Sequence, residues 1–228
     1  MDRDYELWRL EKYDAGDDFK AYTSNQPRTF ALKVMSILAS SKLNIRVPHD
    51  ESFRDHRERN DNKEKFAYGI LKSNDERLLR ILAQKLQDQL SWYIPMRGWY
   101  AGRAVLNKRK DGSTYADITP WDPRHVYWAV GSEGLEWACY KIRRTRSELE
   151  DQYNVDLSDH SFDSAEMIEI YDYYDEDINA VCTRNMMLKK PSKHGLSRVP
   201  VFLGAVGPTP MVQSYTAADR QWSAADGF

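Results

Sequence analysis

The feature that most constrains the fold of this chain is a change in the spacing of its apolar residues at Gly98. Before Gly98 the apolar residues recur every three to four positions, as on one face of an α-helix, and after it they alternate with polar residues, as in half-buried β-strands. Short turns that contain glycine separate the alternating runs, and such turns join antiparallel strands. We therefore predict an α+β fold, with N-terminal helices packed on an antiparallel, meander-rich β region that carries one inserted short helix.

Three segments are predicted along the chain. Residues 1–95 form a helical segment, and residues 96–206 form the antiparallel β region. Residues 207–228 contain a Pro-Thr-Pro sequence and many Ser, Ala and Asp residues, which is typical of a linker. The sequence then stops without a closing element, so we expect a fragment of a longer gene product.

The composition predicts a folded protein of a reducing compartment. The 228 residues are 41% hydrophobic and 12% aromatic, which allows a sizeable core, and the net charge of −2 lacks the basic excess of a general nucleic-acid binder. Cys139 and Cys182 are not in CxxC spacing, so neither a zinc site nor a disulfide framework is indicated. The first ten residues hold no signal sequence, and no run reaches the roughly 18 apolar residues of a membrane span. We expect a cytosolic protein with no membrane partner.

The first well-defined helix is predicted after Pro27, a residue that favours the first turn of a helix. The apolar residues Phe30, Val34, Ile37 and Leu38 follow at helical spacing, and we assign this stripe to the core.

A brief strand, a polar loop and two helix starts are predicted next. Apolar and polar residues alternate over residues 43–47, and residues 49–65 are almost entirely polar. Asp61 and Ser73 are each followed three residues later by glutamate, the pattern of a capping box. The second of these helices should run from Asn74 to Trp92, with a stripe of leucines on its apolar face.

The β region is predicted to contain several hairpins and one helix. Asp111-Gly112 forms the tight turn between strands at residues 100–107 and 114–119. Thr145 with Glu148 repeats the capping-box pattern and predicts the inserted helix. A further hairpin is expected from residues 167–174 and 179–188, and another strand at residues 199–203.

The central hairpin allows a prediction of register. Strands at residues 125–130 and 135–142 should flank a turn over residues 131–134, which pairs Val130 with Leu135, Trp128 with Trp137, and Val126 with Cys139 on one face. We expect Ile118 or the leucine stripe to cover this face. The other face should be wetter, and its residues are Tyr127, Ala129, Glu136 and Ala138.

Charge is distributed unevenly in the second half of the chain. The window from Ser147 to Thr183 holds twelve acidic residues and neither Lys nor Arg. Basic residues flank the window, and they are Lys141, Arg143, Arg144 and Arg146 before it and Arg184, Lys189, Lys190, Lys193 and Arg198 after it. The charges could order contacts between neighbouring subunits, or they could be solvated strand edges that block edge pairing.

No catalytic, cofactor or metal site is predicted. The carboxylates that could hold a divalent metal on ordered strands are Asp117, Asp122, Glu169 and Asp172. Glu169 and Asp172 are three residues apart, so a regular strand places them on opposite faces. The five histidines are not in ligand-like pairs, and no glycine-rich phosphate loop is present. The aromatic residues alternate within apolar strands, which favours core and subunit-interface packing over base stacking.

From Trp92 onward, the order of short elements resembles that of tailed-phage portal proteins. The motifs that carry the resemblance are Gly98, Ile118-Thr119-Pro120-Trp121-Asp122-Pro123, Gly134-Leu135-Glu136-Trp137, Thr145-Arg146-Ser147-Glu148-Leu149, Tyr171-Asp172-Tyr173-Tyr174 and Leu196-Ser197-Arg198-Val199-Pro200-Val201. The resemblance covers roughly residues 5–210, and this region is similar to the outer wing of a portal protein. The stem, clip and channel loops come later in the family's chain, so their working residues cannot be assigned here.

The resemblance implies a structural protein and not an enzyme. Portal proteins form a dodecameric ring at the capsid vertex, through which double-stranded DNA is packaged and ejected. The implied partners are further copies of the chain, the major capsid protein, the terminase packaging motor and neck or adaptor proteins. The implied location is the virion, and the host cytoplasm during assembly. A phage metal-dependent nucleic-acid-processing enzyme and a short head–tail adaptor are the alternatives.

Overall fold

The structure is a computed structural model that describes residues 2–11, 22, 24–47, 57–109, 111–157 and 167–206. The linker predicted at residues 207–228 and the first part of the polar loop predicted at residues 49–65 lie outside the described residues.

The described residues form helices and antiparallel strands, which confirms the α+β class. The helices are α1 (Asp2–Arg9), α2 (Gln26–Ser40), α3 (Arg57–Arg80), α4 (Leu86–Arg97) and α5 (Arg146–Tyr153). The strands are β1 (Trp99–Lys108), β2 (Thr114–Trp121), β3 (Val126–Gly131), β4 (Gly134–Thr145), β5 (Met167–Asp175), β6 (Ile178–Thr183), β7 (Met187–Lys193) and β8 (Val201–Ala205).

The chain divides into two compact units. The first, which we call the helical unit, contains Met1–Gly98 and Leu106–Pro120, so that the tip of the β1–β2 hairpin belongs with the helices. The second, the sheet unit, contains Trp99–Val105 and Trp121–Phe228.

Helix α2 is where the sequence predicts a helix, but its stripe is not part of a core. None of its residues is buried, and Phe30 and Ile37 are 70% and 60% exposed. Val34 and Leu38 are half-buried, because α2 contacts α1 and α4 through the other side of the helix. The Gln87 side chain of α4 donates to the carbonyl of Leu38 at 2.8 Å and so caps the end of α2.

The strand predicted at residues 43–47 is wrong. This segment forms no strand, and side chains of α3 take up its backbone groups instead. The Tyr68 hydroxyl accepts from the Ile45 N–H at 2.8 Å and donates to the Leu43 carbonyl at 3.0 Å, and Glu64 accepts from the Val47 N–H at 2.8 Å. The segment is therefore extended without a neighbouring strand.

The two helix starts predicted at Asp61 and Ser73 are wrong, because both residues lie inside the continuous helix α3. Residues 57–65 are consequently helical and do not form a loop. A continuous helix keeps Asn74, which is fully buried, in position to bond the backbone of Ile118. These tertiary bonds outweigh the local capping pattern.

The helix predicted from Asn74 to Trp92 is interrupted between α3 and α4. Leu82 adopts a left-handed conformation, with φ of 59°, and is 96% exposed. The carboxylate of Asp75 accepts from the Leu86 N–H at 2.9 Å, which compensates a free donor at the start of α4. The leucine stripe is therefore divided between two helices, and of its members Leu78 is buried.

The first predicted hairpin is confirmed. Gly98 ends α4 in a left-handed conformation, with φ of 65°, and β1 begins at the next residue. The turn between β1 and β2 contains Gly112, whose φ of 83° suits glycine. The smaller sheet has the strand order β2-β1-β8, with β1 and β8 antiparallel from Trp99↔Ala205 to Arg103↔Val201.

The larger sheet is antiparallel with the strand order β3-β4-β5-β6-β7. The strand predicted over residues 179–188 ends earlier, at Thr183. There the Thr183 hydroxyl accepts from the N–H groups of Asn185 and Met186 at 3.2 and 3.1 Å. This turn reverses the chain, so that Met187 and the residues after it form β7, which pairs with β6.

The predicted register of the central hairpin is wrong beyond its first pair. Val130 pairs with Leu135 as predicted, but a β-bulge then makes Glu136 an extra residue on β4. Trp137 consequently pairs with Ala129, and Trp128 with Ala138, so the two tryptophans lie on opposite faces of the sheet. Glu136 is exposed, as its charge requires, whereas Ala138 is fully buried and not on the wetter face.

One face of the larger sheet is covered by other elements of the chain, and this closed face carries two hydrophobic clusters. Trp128 lies in the first, and β1 and β8 cover it through Ala101, Val201 and Trp99, where we expected Ile118 or the leucine stripe. The second cluster lies beneath α5 and contains Leu149 and Ile170. On β5, Asp172 stands between the residues of the two clusters and on the same face.

The inserted helix α5 is confirmed together with its capping box. The Thr145 hydroxyl accepts from the Glu148 N–H, and the Glu148 carboxylate accepts from the Thr145 N–H at 2.8 Å. The latter bond, more than any other interaction, lowers the pKa of Glu148.

Candidate assembly surfaces

Two exposed apolar side chains and one lysine lie on the same face of α2. Phe30, Lys33 and Ile37 are spaced three and four residues apart, so they share one face of the helix, and all three are exposed. We call these three residues the α2 surface. An apolar surface of this kind on a water-exposed helix indicates a protein–protein contact.

The chain around the α2 surface is basic. Residues 26–47 contain four Lys and Arg residues and neither Asp nor Glu. Arg28 lies over the ring of Trp8, and Arg46 lies 3.7 Å from Glu64. Lys33 and Lys42 are exposed and form no ion pair with any residue that the structure describes. The α2 surface therefore combines apolar side chains with free positive charge.

A second apolar surface lies on the open face of the larger sheet. The strand register places Tyr127, Trp137, Tyr171 and Tyr173 on this face, which we call the aromatic face. Trp137 and Tyr173 stack with ring centroids 6.1 Å apart, and Tyr127 is 44% exposed. None of the four belongs to either hydrophobic cluster. The open face of an antiparallel sheet is usually polar, so its aromatic character indicates a partner.

One end of the aromatic face is acidic. The β3–β4 and β5–β6 turns border a cleft of about 620 Å³ there. We call this region the acidic end, and its carboxylates are Glu133, Glu136, Asp175, Glu176 and Asp177. Among the residues that the structure describes, none of these five pairs with a basic side chain.

The basic residues before the acidic window are engaged within the chain. Arg143 donates to Glu169 at 2.8 Å, Lys141 lies 3.7 Å from the same carboxylate, and Arg146 donates to Glu150 at 2.8 Å. The basic residues after the window include the three lysines of the edge strand β7, where charge opposes edge-to-edge pairing.

The four candidate metal-binding carboxylates each pair with a basic side chain of the same chain. Asp117 is buried, and Arg77 lies 2.6 Å from it. Asp122 accepts from the N–H and the side chain of Arg124 at the start of a 3-10 turn. Within the described ranges, no group of three or more Asp, Glu, His or Cys residues is placed to hold a metal ion.

The other two carboxylates lie on opposite faces of β5, as predicted. Glu169 is on the open face, where its hydrogen bond with Arg143 and the charge of Lys141 lower its pKa. Asp172 is buried on the closed face, and burial raises its pKa, although Arg103, Asn179 and Lys189 oppose that effect.

Asp172 is the centre of a polar cluster in the core. Arg103 of β1 donates to its carboxylate at 2.9 Å and to the Tyr174 hydroxyl at 3.0 Å. The Asn179 amide donates to Asp172 at 2.9 Å, and Lys189 donates to the Asn179 carbonyl oxygen. The cluster joins β1 to β5, β6 and β7 through side chains.

Neither apolar surface was predicted from the sequence. The spacing of Phe30 and Ile37 correctly indicated a helical face, but spacing does not distinguish a core from an interface. The absence of acidic residues from 26 to 47 is the signal that could have marked the α2 surface. The aromatic face depends on the bulge at Glu136 and on pairings between distant strands.

No protein-family model matches the chain, and no curated protein matches it significantly. In the part of the chain that the structure describes, none of the helices is both long enough and apolar enough for a transmembrane segment.

Proposed function

We propose that the chain is a structural subunit of a tailed-phage portal ring at the capsid vertex, through which double-stranded DNA is packaged and ejected. The ring would be a homo-oligomer, with twelve copies as in the family it resembles. The major capsid protein, the terminase motor and the neck or adaptor proteins would dock on that ring. The proposal places the protein in the virion, and in the host cytoplasm during assembly.

The observation that carries this proposal is the α2 surface. Helix α2 has 15 residues and buries none of them, while two large apolar side chains on it are more than half exposed. A helix with this surface is expected to be covered in the functional state of the protein. Further copies of the same chain are the partners that the resemblance implies.

The absence of enzymatic activity is part of the same proposal. A metal-dependent nuclease would need carboxylates that converge on a metal, and Asp117, Asp122, Glu169 and Asp172 each pair with a different basic side chain or set of side chains. Nothing in the described geometry favours the enzyme over a ring subunit.

Negative-stain electron microscopy of the full-length gene product that contains this chain tests the proposal. We expect closed rings with a central channel, most of them with twelvefold symmetry. Incubation with DNA or ATP and Mg²⁺ or Mn²⁺ should yield no product above a blank. Monomeric particles, together with metal-dependent turnover that Asp172→Asn abolishes, would instead support the enzyme. Rings that assemble only on a separate portal would support the adaptor.

A further inference from the structure

Two surfaces of opposite charge, one on each unit, have complementary chemistry. The α2 surface is apolar and lies in a basic segment, whereas the aromatic face is apolar and ends in five carboxylates. We infer that the α2 surface of one copy docks on the aromatic face of the next copy, with Lys33 and Lys42 near its acidic end. This inference rests on the proposed ring and names the contact that would build it.

The two surfaces also match in size. A helix of 15 residues is about 22 Å long, from a rise of about 1.5 Å per residue. Five strands about 4.8 Å apart span roughly 20 Å, and the nine residues of β5 extend over about 30 Å. The whole of α2 can therefore lie on the open face of the sheet.

Charge favours this contact over the symmetric ones. Two α2 surfaces facing each other would oppose Lys33 and Lys42 of one copy to those of another, and two aromatic faces would oppose their acidic ends. Like charges at close range disfavour association, whereas helix on sheet pairs opposite charges. A contact between two different surfaces of the same chain is heterologous, and a heterologous contact generates a ring when its rotation closes.

Charge reversal on each surface tests the inference in the full chain. The helix variant carries Lys33→Glu and Lys42→Glu, and the sheet variant carries Glu133→Lys and Glu176→Lys. All four residues are exposed, so both variants should fold, which circular dichroism and denaturant unfolding verify. A matched control, Lys65→Glu with Lys72→Glu on helix α3, changes two exposed lysines in the same way away from both surfaces.

Sedimentation velocity at low salt, over a range of concentrations, is the measurement. We expect weak self-association of the wild-type chain, and at least about tenfold weaker self-association of each variant alone. An equimolar mixture of the two variants should associate again, because each reversed surface then faces its complement. The α3 control should behave like the wild type, and added salt should weaken every contact.

Several outcomes would overturn the inference. They are a wild-type chain that is monomeric at every concentration, variants that associate as the wild type does, failure of the mixture to recover, and equal loss in the α3 control. The last result would show that association depends on net charge and not on these two surfaces. Variants that differ from a monomeric wild type only in stability would likewise overturn the inference.

The proposed ring and this contact can be tested separately. Rings of the full-length product that persist with both charge reversals would remove the contact and leave the portal proposal intact. Association that recovers on mixing, in a full-length product that never closes into rings, would establish the contact and contradict the portal proposal.

Discussion

The side chain of Asn74 makes the two hydrogen bonds with Ile118 that a residue on a neighbouring β-strand would make. Its amide donates to the Ile118 carbonyl at 3.0 Å, and its oxygen accepts from the Ile118 N–H at 2.9 Å. Asn74 is fully buried on α3, so one side chain joins a helix to the backbone of β2 within the helical unit.

Replacement of Asn74 by Leu should therefore destabilise the helical unit. The substitution leaves the N–H and carbonyl of Ile118 without these partners, which we expect to lower the free energy of unfolding by about 2 to 4 kcal/mol. Urea unfolding measures the loss, and hydrogen exchange at Ile118 locates it. The neighbouring exposed Ser73, changed to Ala, is the control and should shift stability by less than about 0.5 kcal/mol. Equal stability of the two variants would contradict the assigned role.

Protonation of Asp172 should make its contribution to the free energy of unfolding fall as pH rises, which is the opposite of the usual effect of a carboxyl. Burial raises the pKa of this carboxyl above its ordinary value of 3.8. The folded chain therefore binds a proton more tightly than the unfolded chain, and the associated stability is present below the ordinary value and is lost as pH rises through the raised pKa. One such group contributes at most about 1.4 kcal/mol per pH unit.

Comparison of the wild type with Asp172→Asn isolates this dependence. We expect the wild type to lose stability relative to Asp172→Asn as pH rises, because only the wild type loses a bound proton at this position. Denaturant unfolding between about pH 3 and pH 7, a window set by the direction of the shift, measures it. Carboxyls such as Glu169, whose pKa is lowered by Arg143, contribute equally to both curves and cancel. A difference that is independent of pH would show that Asp172 does not titrate in this way.

The capping box of α5 should contribute measurably to the free energy of unfolding of the sheet unit. Thr145→Ala removes the hydroxyl that accepts from the Glu148 N–H, and we expect a loss of about 1 kcal/mol. Ser147→Ala, at an exposed position two residues after Thr145 in the same turn, is the matched control and should be nearly neutral. Thermal unfolding followed by circular dichroism compares them, and an unchanged midpoint for Thr145→Ala would contradict this expectation.

Cys139 should react slowly in the native chain. Burial raises the pKa of its thiol to about 11, with smaller contributions from Cys182 and Asp172. At pH 8 only on the order of one thiol in a thousand is then ionised, and the thiolate is the nucleophile. Alkylation with iodoacetamide, analysed by peptide mass spectrometry, should modify Cys139 much faster in urea than in buffer. Equal rates in the two conditions would show that the thiol is accessible and ordinary.

Features of this fold that depend on a few adjacent residues were predictable from sequence. The capping box of α5 and the turn at Gly112 are set by side chains within four residues of each other, and both occur where the sequence places them. The α+β class follows from the change in apolar period at Gly98, which holds over many residues and tolerates local errors.

Features that depend on distant partners were not predictable. The break between α3 and α4 contains neither glycine nor proline, and Leu82 adopts its left-handed conformation without any local signal. The backbone of residues 43–47 is hydrogen-bonded to the side chains of Tyr68 and Glu64, which follow Ile45 and Val47 by 23 and 17 residues in the sequence. The core ion pair of Asp172 was not predictable, because its partner Arg103 is 69 residues away in the sequence.

The bulge at Glu136 has a consequence for sequence alignment. Glu136 is the extra residue on β4, so Leu135 and Trp137 face Val130 and Ala129, which are consecutive on β3. A related chain one residue shorter at this point could keep every other pairing of the hairpin, with each side chain on the same face. An aligner would tend to place the missing residue in the turn over residues 131–134, where length varies most often. The gap belongs at Glu136, because moving it into the turn would match Glu136 to the leucine of the shorter chain and Leu135 to its glycine, so that the two leucines that pair with Val130 would no longer be aligned.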